Sequence, residues 1–200
     1  MSLSFWIILL AILIYGLVHS LLASLRLKAL ARHWFGPSAN RWFRLIYNLV
    51  AGLTLLPILL LPVVLVDKSL YHIRFPWIIL TGVIQVAALA ILGVGVWQTG
   101  WMSFLGIRQL LGYGREKPTR LVINGLYRYV RHPLYTAGLV IIWLIPVMTC
   151  NLLALNIGLT LYTLVGAVYE ERKLLQVFGE EYAVYRRRTP MLIPGLRLKK

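Results

Sequence analysis

The stretch RHPLYTAGLVIIWLIPVMTCNLLALNIGLTLYTLVGAVYEERK, residues 131–173, decides the fold. Two apolar runs, 134–149 and 151–171, follow each other so closely that the sequence predicts a tight helical hairpin. Charged residues stand at both open ends of this hairpin, in RHPLY at its start and in YEERK at its end. Because a hairpin brings its two ends together, we expect these residues to form one cluster at its mouth.

The rest of the chain is equally apolar. Of its 200 residues, 60% are hydrophobic and only 14% are charged, which is far from the composition of a soluble domain. The sequence therefore predicts an all-α, polytopic membrane helical bundle of about five transmembrane helices, folded as a single membrane-embedded domain, 1–200. The predicted spans are 4–24, 45–66, 76–97, 134–149 and 151–171. The first run is long and lacks a basic leader, so we interpret it as a mature helix and not as a signal peptide.

The distribution of basic residues predicts the orientation of these spans. Of the 21 Lys and Arg residues, five lie in 25–44, six in 98–133, eight from residue 172 onward and only two in 67–75. The positive-inside rule then places the N-terminus outside and the C-terminus in the cytosol, with the net charge of +15 facing anionic lipid headgroups. A short chain of this kind suggests a bacterial or archaeal inner membrane. No nucleic-acid partner is expected, because no basic helix with interleaved stacking aromatic residues is free of the bilayer.

Two features at the hairpin mouth suggest a binding site. Glu170 and Glu171 are two of only six acidic residues in the chain, and acidic residues at membrane depth often mark function. The alternative is that they are solvated or paired with neighbouring cations. At the other end, Pro133 suits the first turn of a helix, which places His132 at the N-cap and leaves N–H groups free for an anion. The alternative is an interfacial anchor of Arg131 and Tyr135.

The segment after the hairpin, 170–194, is predicted to form an amphipathic cytosolic helix. Gly179 is expected to bend it, and its charged residues, including Arg186, are expected to point outward. Pro190 and Pro194 are expected to end the helix and let the chain fold back over the site. The single cysteine, Cys150, excludes a multi-cysteine metal or iron–sulfur site, and no metal is expected.

Together these motifs resemble the integral-membrane methyltransferase family. The family includes isoprenylcysteine carboxyl methyltransferases, phospholipid N-methyltransferases and methanethiol S-methyltransferases. The resemblance is carried by GLYRYVRHPLYTAGL, the short hairpin and YEERKLLQVFGEEYAVYRRRTPMLIP, and it covers residues 120–195. The N-terminal half, with HSLLAS and RWFRLIYNLVAG, is similar to NnrU-type proteins linked to denitrification.

The resemblance implies an S-adenosylmethionine site built from the loop, hairpin and C-terminal segment of residues 98–200. The three N-terminal spans lie in residues 1–97. No Rossmann domain is expected, because the chain lacks a complete glycine fingerprint after a strand. By similarity, the cofactor contacts come from His132, Tyr135 and Glu170 or Glu171, and Tyr127 and Arg131 shape the pocket. The implied activity is methyl transfer to a small thiol or to a lipophilic acceptor that enters from the bilayer.

The methyl acceptor is left open by the sequence. Isoprenylcysteine enzymes are expected to carry an Arg about one turn before the paired acids, where this chain has Gly166, which argues against carboxyl methylation. The polar residues that are candidates for the acceptor site are His19, Asn48, Tyr162 and Tyr169. The alternative for such residues is hydrogen bonding between helices. The alternative functions are an NnrU-like, non-enzymatic accessory protein of nitrogen-oxide metabolism and a nicotinamide-dependent membrane reductase.

Overall fold

The computed structural model describes residues 2–112 and 120–196 and confirms the all-α membrane bundle. Part of the predicted basic loop, 113–119 with Arg115 and Lys117, lies outside these residues. The helices are α1 (Leu3–Leu22), α2 (Leu25–Phe35), α3 (Ala39–Val64), α4 (Trp77–Thr99), α5 (Trp101–Leu105), α6 (Ile107–Leu110), α7 (Pro133–Trp143), α8 (Cys150–Phe178) and α9 (Glu180–Arg188). Two short strands, β1 (Ser69–His72) and β2 (Val147–Thr149), pair with each other, and a 3-10 helix covers Gly125–Arg128.

The chain forms two compact units. The first contains 1–71, 99–117 and 148–159, and the second contains 72–98, 118–147 and 160–200. The long helix α8 contributes its beginning to the first unit and the rest to the second. All the residues of the predicted hairpin mouth belong to the second unit.

Within the described residues, four helices are long and apolar enough to cross a membrane, so the protein is an integral membrane protein. They are Leu3–Leu22, Arg41–Val64, Trp77–Gln98 and Cys150–Phe178. They confirm four of the predicted spans. Their surfaces carry many exposed large apolar side chains, for example Leu53 at 67% and Val83 at 62%, as expected of helices that face lipid.

The remaining predicted span, 134–149, is shorter than the sequence suggested. α7 has 11 residues, which gives a length of about 16 Å against the roughly 30 Å of a hydrocarbon core. The helix ends at Trp143 because Pro146 has no N–H to donate and disfavours helical geometry in the residue before it. The chain then extends into β2. One carbonyl of the last turn, that of Ile141, accepts a hydrogen bond of 3.0 Å from the Gln85 side chain of α4.

The hairpin itself is confirmed. α7 runs antiparallel to the second half of α8, as two side-chain hydrogen bonds show. At one end the Trp143 indole donates to the Thr160 hydroxyl at 2.9 Å, and at the other the Tyr135 hydroxyl donates to Glu170 at 2.9 Å. Both open ends of the hairpin therefore meet, which creates the cluster of charged residues described below.

The start of α8 is fixed in the first unit by the loop that follows α3. The backbone N–H of Asn151 donates to the Asp67 carboxylate at 3.0 Å, and the Asn151 side chain donates to the carbonyls of Leu65 and Val66 at 3.3 and 3.2 Å. Asp67 thereby satisfies a first-turn N–H group that has no partner within the helix. These bonds fix the start of α8 within the first unit.

Candidate functional site

The paired acids of α8 and the start of α7 meet around one histidine. The His132 ring lies between the two carboxylates, with Nδ1 3.5 Å from Glu170 Oε2 and Nε2 3.4 Å from Glu171 Oε1. The Tyr135 ring stacks on the His132 ring, with centroids 5.2 Å apart and planes within 6°. The Tyr135 hydroxyl donates to Glu170 Oε2 at 2.9 Å. The structure therefore brings together these four of the six residues predicted to form the cofactor site, and Arg131 joins them through Glu171. Their role there stays a prediction.

The two acids have very different surroundings. The Glu171 side chain is buried at 6% exposure, and its carboxylate accepts from Arg131 Nε at 2.6 Å and pairs with Arg186 Nε at 3.1 Å. The Glu170 side chain is 47% exposed. Because two guanidinium groups and a histidine already surround Glu171, it has little capacity for a further cation. Glu170 has hydrogen bonds that fix its position and an open side that a ligand can reach.

Arg131 connects the start of α7 to the C-terminal segment. Beyond its contact with Glu171, its guanidinium donates to the backbone carbonyls of Arg186 and Thr189, at 3.0 and 2.5 Å. The Arg131 side chain is only 10% exposed. A guanidinium engaged in this way positions other groups and is not free to bind a ligand carboxylate.

The chain after α9 folds back along the start of α7, as the two prolines predicted. The backbone N–H groups of Arg131 and His132 donate to the carbonyls of Pro190 and Met191 at 2.9 and 3.1 Å. The Thr136 hydroxyl donates to the carbonyl of Leu192 at 2.7 Å. This returning segment is thereby hydrogen-bonded to the start of α7.

The C-terminal segment differs from the predicted single amphipathic helix. α8 continues to Phe178, and α9 begins after Gly179, whose φ of 55° is the left-handed conformation that glycine adopts without strain. The bend at Gly179 is therefore confirmed. The prediction that Arg186 points outward is wrong, because the bend turns this face of α9 toward α8 and Arg186 pairs with Glu171.

Three site residues were missed by sequence reasoning, namely Tyr182, Tyr185 and Arg186. Tyr182 is 1% exposed and Tyr185 9%, and the Tyr185 hydroxyl donates to the carbonyl of Tyr127 at 2.6 Å. The signal that was available is their spacing of three and four residues, which puts them on one face of a helix. Burial raises the pKa of Tyr182, and it raises the pKa of Tyr185 to about 12, so both phenols stay neutral.

Tyr127, predicted to shape the pocket, lies beside this network. Burial raises the pKa of its phenol, and the negative charge of Glu170 raises it further. The Tyr127 backbone carbonyl accepts from the Tyr185 hydroxyl at 2.6 Å, which places Tyr127 beside α9. Tyr127 is thus a neutral, half-buried ring at the edge of the cluster.

His132 is the group of the cluster that titrates nearest to neutral pH. Burial alone lowers its pKa, but its hydrogen bonds to Glu170 and Glu171 outweigh burial and raise the pKa above the ordinary value. A group whose pKa is raised by folding stabilises the fold fully below its unfolded pKa, about 6.5, and this contribution is lost as the pH rises through the folded value.

We therefore expect the wild type to lose stability relative to His132→Gln as the pH is raised from about 6 to about 9. The measurement is thermal unfolding of both proteins in detergent across this range, with His33→Gln as the control because His33 is an exposed residue of α2. If the difference in thermal stability between wild type and His132→Gln stayed constant with pH, the raised pKa of His132 in the folded state would be contradicted.

The four candidates for the acceptor site are spread over the two units. In the first unit, the Tyr47 hydroxyl bonds to Nε2 of His19, and the Asn48 side chain donates to the carbonyl of Leu105 at 3.0 Å. These are hydrogen bonds between elements, as the packing alternative expects. In the second unit, Tyr162 precedes Glu170 by about 12 Å along α8. Tyr169 is 56% exposed, with the Arg172 guanidinium 5.4 Å above its ring.

Comparisons with known proteins agree with this arrangement of motifs. A family model described as "Protein of unknown function (DUF1295)" matches residues 5–189. The chain is 39% identical over 100 residues to a methanethiol S-methyltransferase of Crocosphaera subtropica, a match that covers 48% of this chain and 39% of that protein. It is 41% identical over 95 residues to a methanethiol S-methyltransferase of Mycobacterium tuberculosis, covering 46% and 39%.

A further relative acts on a different class of acceptor. The chain is 34% identical over 90 residues to protein-S-isoprenylcysteine O-methyltransferase B of Arabidopsis thaliana, covering 42% of this chain and 45% of that protein. The chain thus spans less than half the length of these curated relatives. No solved structure gives a significant match.

Proposed function

This chain belongs to the DUF1295 family, and we propose that it is a membrane-embedded methyltransferase that uses S-adenosylmethionine as the methyl donor. The observation that carries the proposal is the open carboxylate of Glu170, which Tyr135 and His132 hold in place at the start of α7. The names of the similar proteins support the same class of reaction.

The residues of the cluster fit this cofactor. S-adenosylmethionine carries an ammonium, a carboxylate and a cationic sulfur. Glu170 offers a carboxylate for the ammonium, and the N-terminus of α7 offers first-turn N–H groups for the carboxylate. His132 stands at the N-cap of α7 and makes no side-chain capping bond to the first turn. The aromatic rings of Tyr127 and Tyr135 can attract cations on their faces.

S-adenosylmethionine, when bound, supplies a methyl group on a positively charged sulfur that an acceptor nucleophile can take up. The contribution of the chain is to bind, to orient and to exclude water. The network of Arg131, Glu171 and Arg186 fixes the start of α7 to α8 and α9, so Glu170 is held ready before the ligand arrives. The segment from Pro190 to Leu192 is hydrogen-bonded to the start of α7 beside the site.

For the acceptor we propose a small thiol, with a lipophilic acceptor from the bilayer as the second candidate. The methanethiol S-methyltransferase names of several similar proteins favour the thiol. Gly166 favours it as well, because no guanidinium stands at this position to bind the carboxylate of an isoprenylcysteine. A thiol that reaches the site as the thiolate needs no general base, which agrees with a cluster made of binding groups.

The test is transfer of a radiolabelled methyl group from S-adenosylmethionine by the purified protein. We expect labelled dimethyl sulfide with methanethiol as the acceptor, and little transfer to N-acetyl-S-farnesylcysteine. Glu170→Gln is the matched inactive control. Transfer to the farnesylcysteine alone would overturn the acceptor, and a folded wild type that transfers to neither would favour the accessory or reductase alternatives.

We also propose that the site faces the cytosol of a bacterial or archaeal cell and that the basic segments face anionic headgroups. The uneven distribution of Lys and Arg between the spans supports this orientation. In a Cys150→Ser background, the Lys68→Cys variant should react with an impermeant maleimide added to intact cells. The Arg187→Cys variant should not react. Both native side chains are exposed, so the reverse labelling pattern would contradict the orientation.

A further inference from the structure

The segment between the first two spans is a helix with two distinct faces. α2 covers 11 residues of a stretch whose sequence indicated only a basic loop. The Ser24 hydroxyl caps its N-terminus by accepting from the N–H of Leu27 at 3.2 Å. α2 begins three residues after α1 ends and is followed within four residues by α3. It is therefore attached to a membrane-spanning helix at both ends.

At 100° per residue, the side chains of α2 divide into an apolar and a basic face. The apolar face contains Leu27, Leu30, Ala31 and Trp34, with Phe35 at its edge. The basic face contains Arg26, Lys28, Arg32 and His33, with Ala29 between Arg32 and His33. A short helix with aromatic and leucine residues on one side and Lys and Arg on the other is typical of helices that lie in the membrane interface.

The apolar face of α2 is only partly covered by protein. Leu27 and Ala31 are half-buried, where α2 packs against α1 and α3. Leu30 is 51% exposed, Trp34 75% and Phe35 63%. Large apolar side chains grouped on one face at such exposure indicate a surface that another apolar phase covers.

The charge of this part of the chain selects the kind of surface that the helix contacts. The first acidic residue of the chain is Asp67, so residues 1–66 carry the five Lys and Arg residues of 25–44 and not one Asp or Glu. Basic residues at the edge of a membrane attract anionic headgroups, and this attraction is absent with zwitterionic lipid. Tryptophan is enriched at the same depth of a bilayer.

We propose that α2 docks on the anionic headgroup surface of the bilayer, with Leu30 and Trp34 in the acyl boundary and Arg26, Lys28 and Arg32 toward the phosphates. A bilayer is the occupant that fits, because both ends of α2 continue into membrane spans and the bilayer surface is therefore beside it. The inference rests on the proposed anionic partner of the basic segments and assigns it to one helix. It does not depend on methyl transfer.

The experiment uses the full-length protein in vesicles and a label that changes its emission with polarity. In a Cys150→Ser background, the label is attached to Leu30→Cys on the apolar face or to Lys28→Cys on the basic face. The vesicles contain phosphatidylcholine alone or phosphatidylcholine mixed with phosphatidylglycerol. Quenching is measured with a lipid that carries a shallow nitroxide and with iodide in the water.

With phosphatidylglycerol present, we expect several-fold stronger nitroxide quenching at Leu30→Cys than at Lys28→Cys, and the reverse order for iodide. Adding Arg26→Gln and Arg32→Gln should reduce the nitroxide quenching at Leu30→Cys to its value in phosphatidylcholine. Arg187→Gln with Arg188→Gln removes the same charge from α9 and should not change it.

Equal iodide quenching at the two positions would overturn the docking of α2 on any bilayer. Strong nitroxide quenching at Leu30→Cys that is the same in both vesicles would overturn the role of anionic headgroups. Methyl transfer by the same labelled proteins is measured separately, so failure of this inference is distinguishable from failure of the proposed function.

Discussion

Glu171→Gln is expected to lower the free energy of unfolding by about 3–5 kcal/mol, because it leaves the buried Arg131 guanidinium and the partly exposed Arg186 guanidinium without their carboxylate. The Glu171 side chain is 6% exposed and contacts Arg131 Nε at 2.6 Å and Arg186 Nε at 3.1 Å. Arg131 in turn bonds to the carbonyls of Arg186 and Thr189. Removing one charge therefore loosens α9 and the returning C-terminal segment from the start of α7.

The matched control is Glu180→Gln on the surface of α9. Its partner Arg187 lies at 2.6 Å, but the two side chains are 76% and 64% exposed. An exposed pair of this kind contributes about 0–1 kcal/mol because water and salt screen it. Reversible unfolding of the wild type and the two variants in the same detergent gives the comparison, and equal losses in both variants would show that the Glu171 network does not stabilise the fold.

Glu170→Gln is expected to weaken binding of S-adenosylhomocysteine about 30-fold or more, with a smaller loss of stability than Glu171→Gln. The cofactor ammonium would face a neutral amide, and loss of one partner of a desolvated charge pair costs about 2 kcal/mol or more. The loss of stability should be smaller than that of Glu171→Gln, because the Glu170 side chain is 47% exposed and the Glu171 side chain only 6%. Equilibrium binding of tritiated S-adenosylhomocysteine measures the effect.

Tyr169→Phe is the control for this binding experiment. Tyr169 is the neighbour of Glu170 along α8, but its ring packs under Arg172 on the exposed face. Removing the Tyr169 hydroxyl should leave the affinity for S-adenosylhomocysteine unchanged. The assignment of the two acids would be reversed by the opposite result. In that case Glu170→Gln would bind S-adenosylhomocysteine as tightly as the wild type, and a folded Glu171→Gln would bind it more weakly.

The membrane spans and the hairpin were predictable because hydropathy and segment length depend on local sequence. The length of α7 was not predictable in the same way, although the sequence shows Pro146 within the apolar run. The apolar run 134–149 is long enough for a span, and nothing local shows that its second half pairs as β2 with β1, a strand more than 70 residues earlier. Polar partners such as Gln85, which bonds to Ile141, are equally distant in sequence.

The difference between the paired acids also depended on tertiary structure. Glu170 and Glu171 are adjacent, so helical geometry turns their side chains about 100° apart. Which of them is buried depends on where α9 lies, and this depends on the bend at Gly179. Once α9 turns back, Arg186 reaches Glu171 and leaves Glu170 open. The sequence predicts a bend at Gly179, but it does not predict the direction of that bend.

The most direct test of the cofactor site is calorimetric titration of the folded wild type with S-adenosylhomocysteine and, separately, with a reduced nicotinamide dinucleotide. We expect saturable binding of one S-adenosylhomocysteine per chain and no heat of binding for the nicotinamide. Binding of the nicotinamide alone, or of neither ligand, would contradict the methyltransferase assignment and the role of Glu170 as the group that binds the cofactor ammonium.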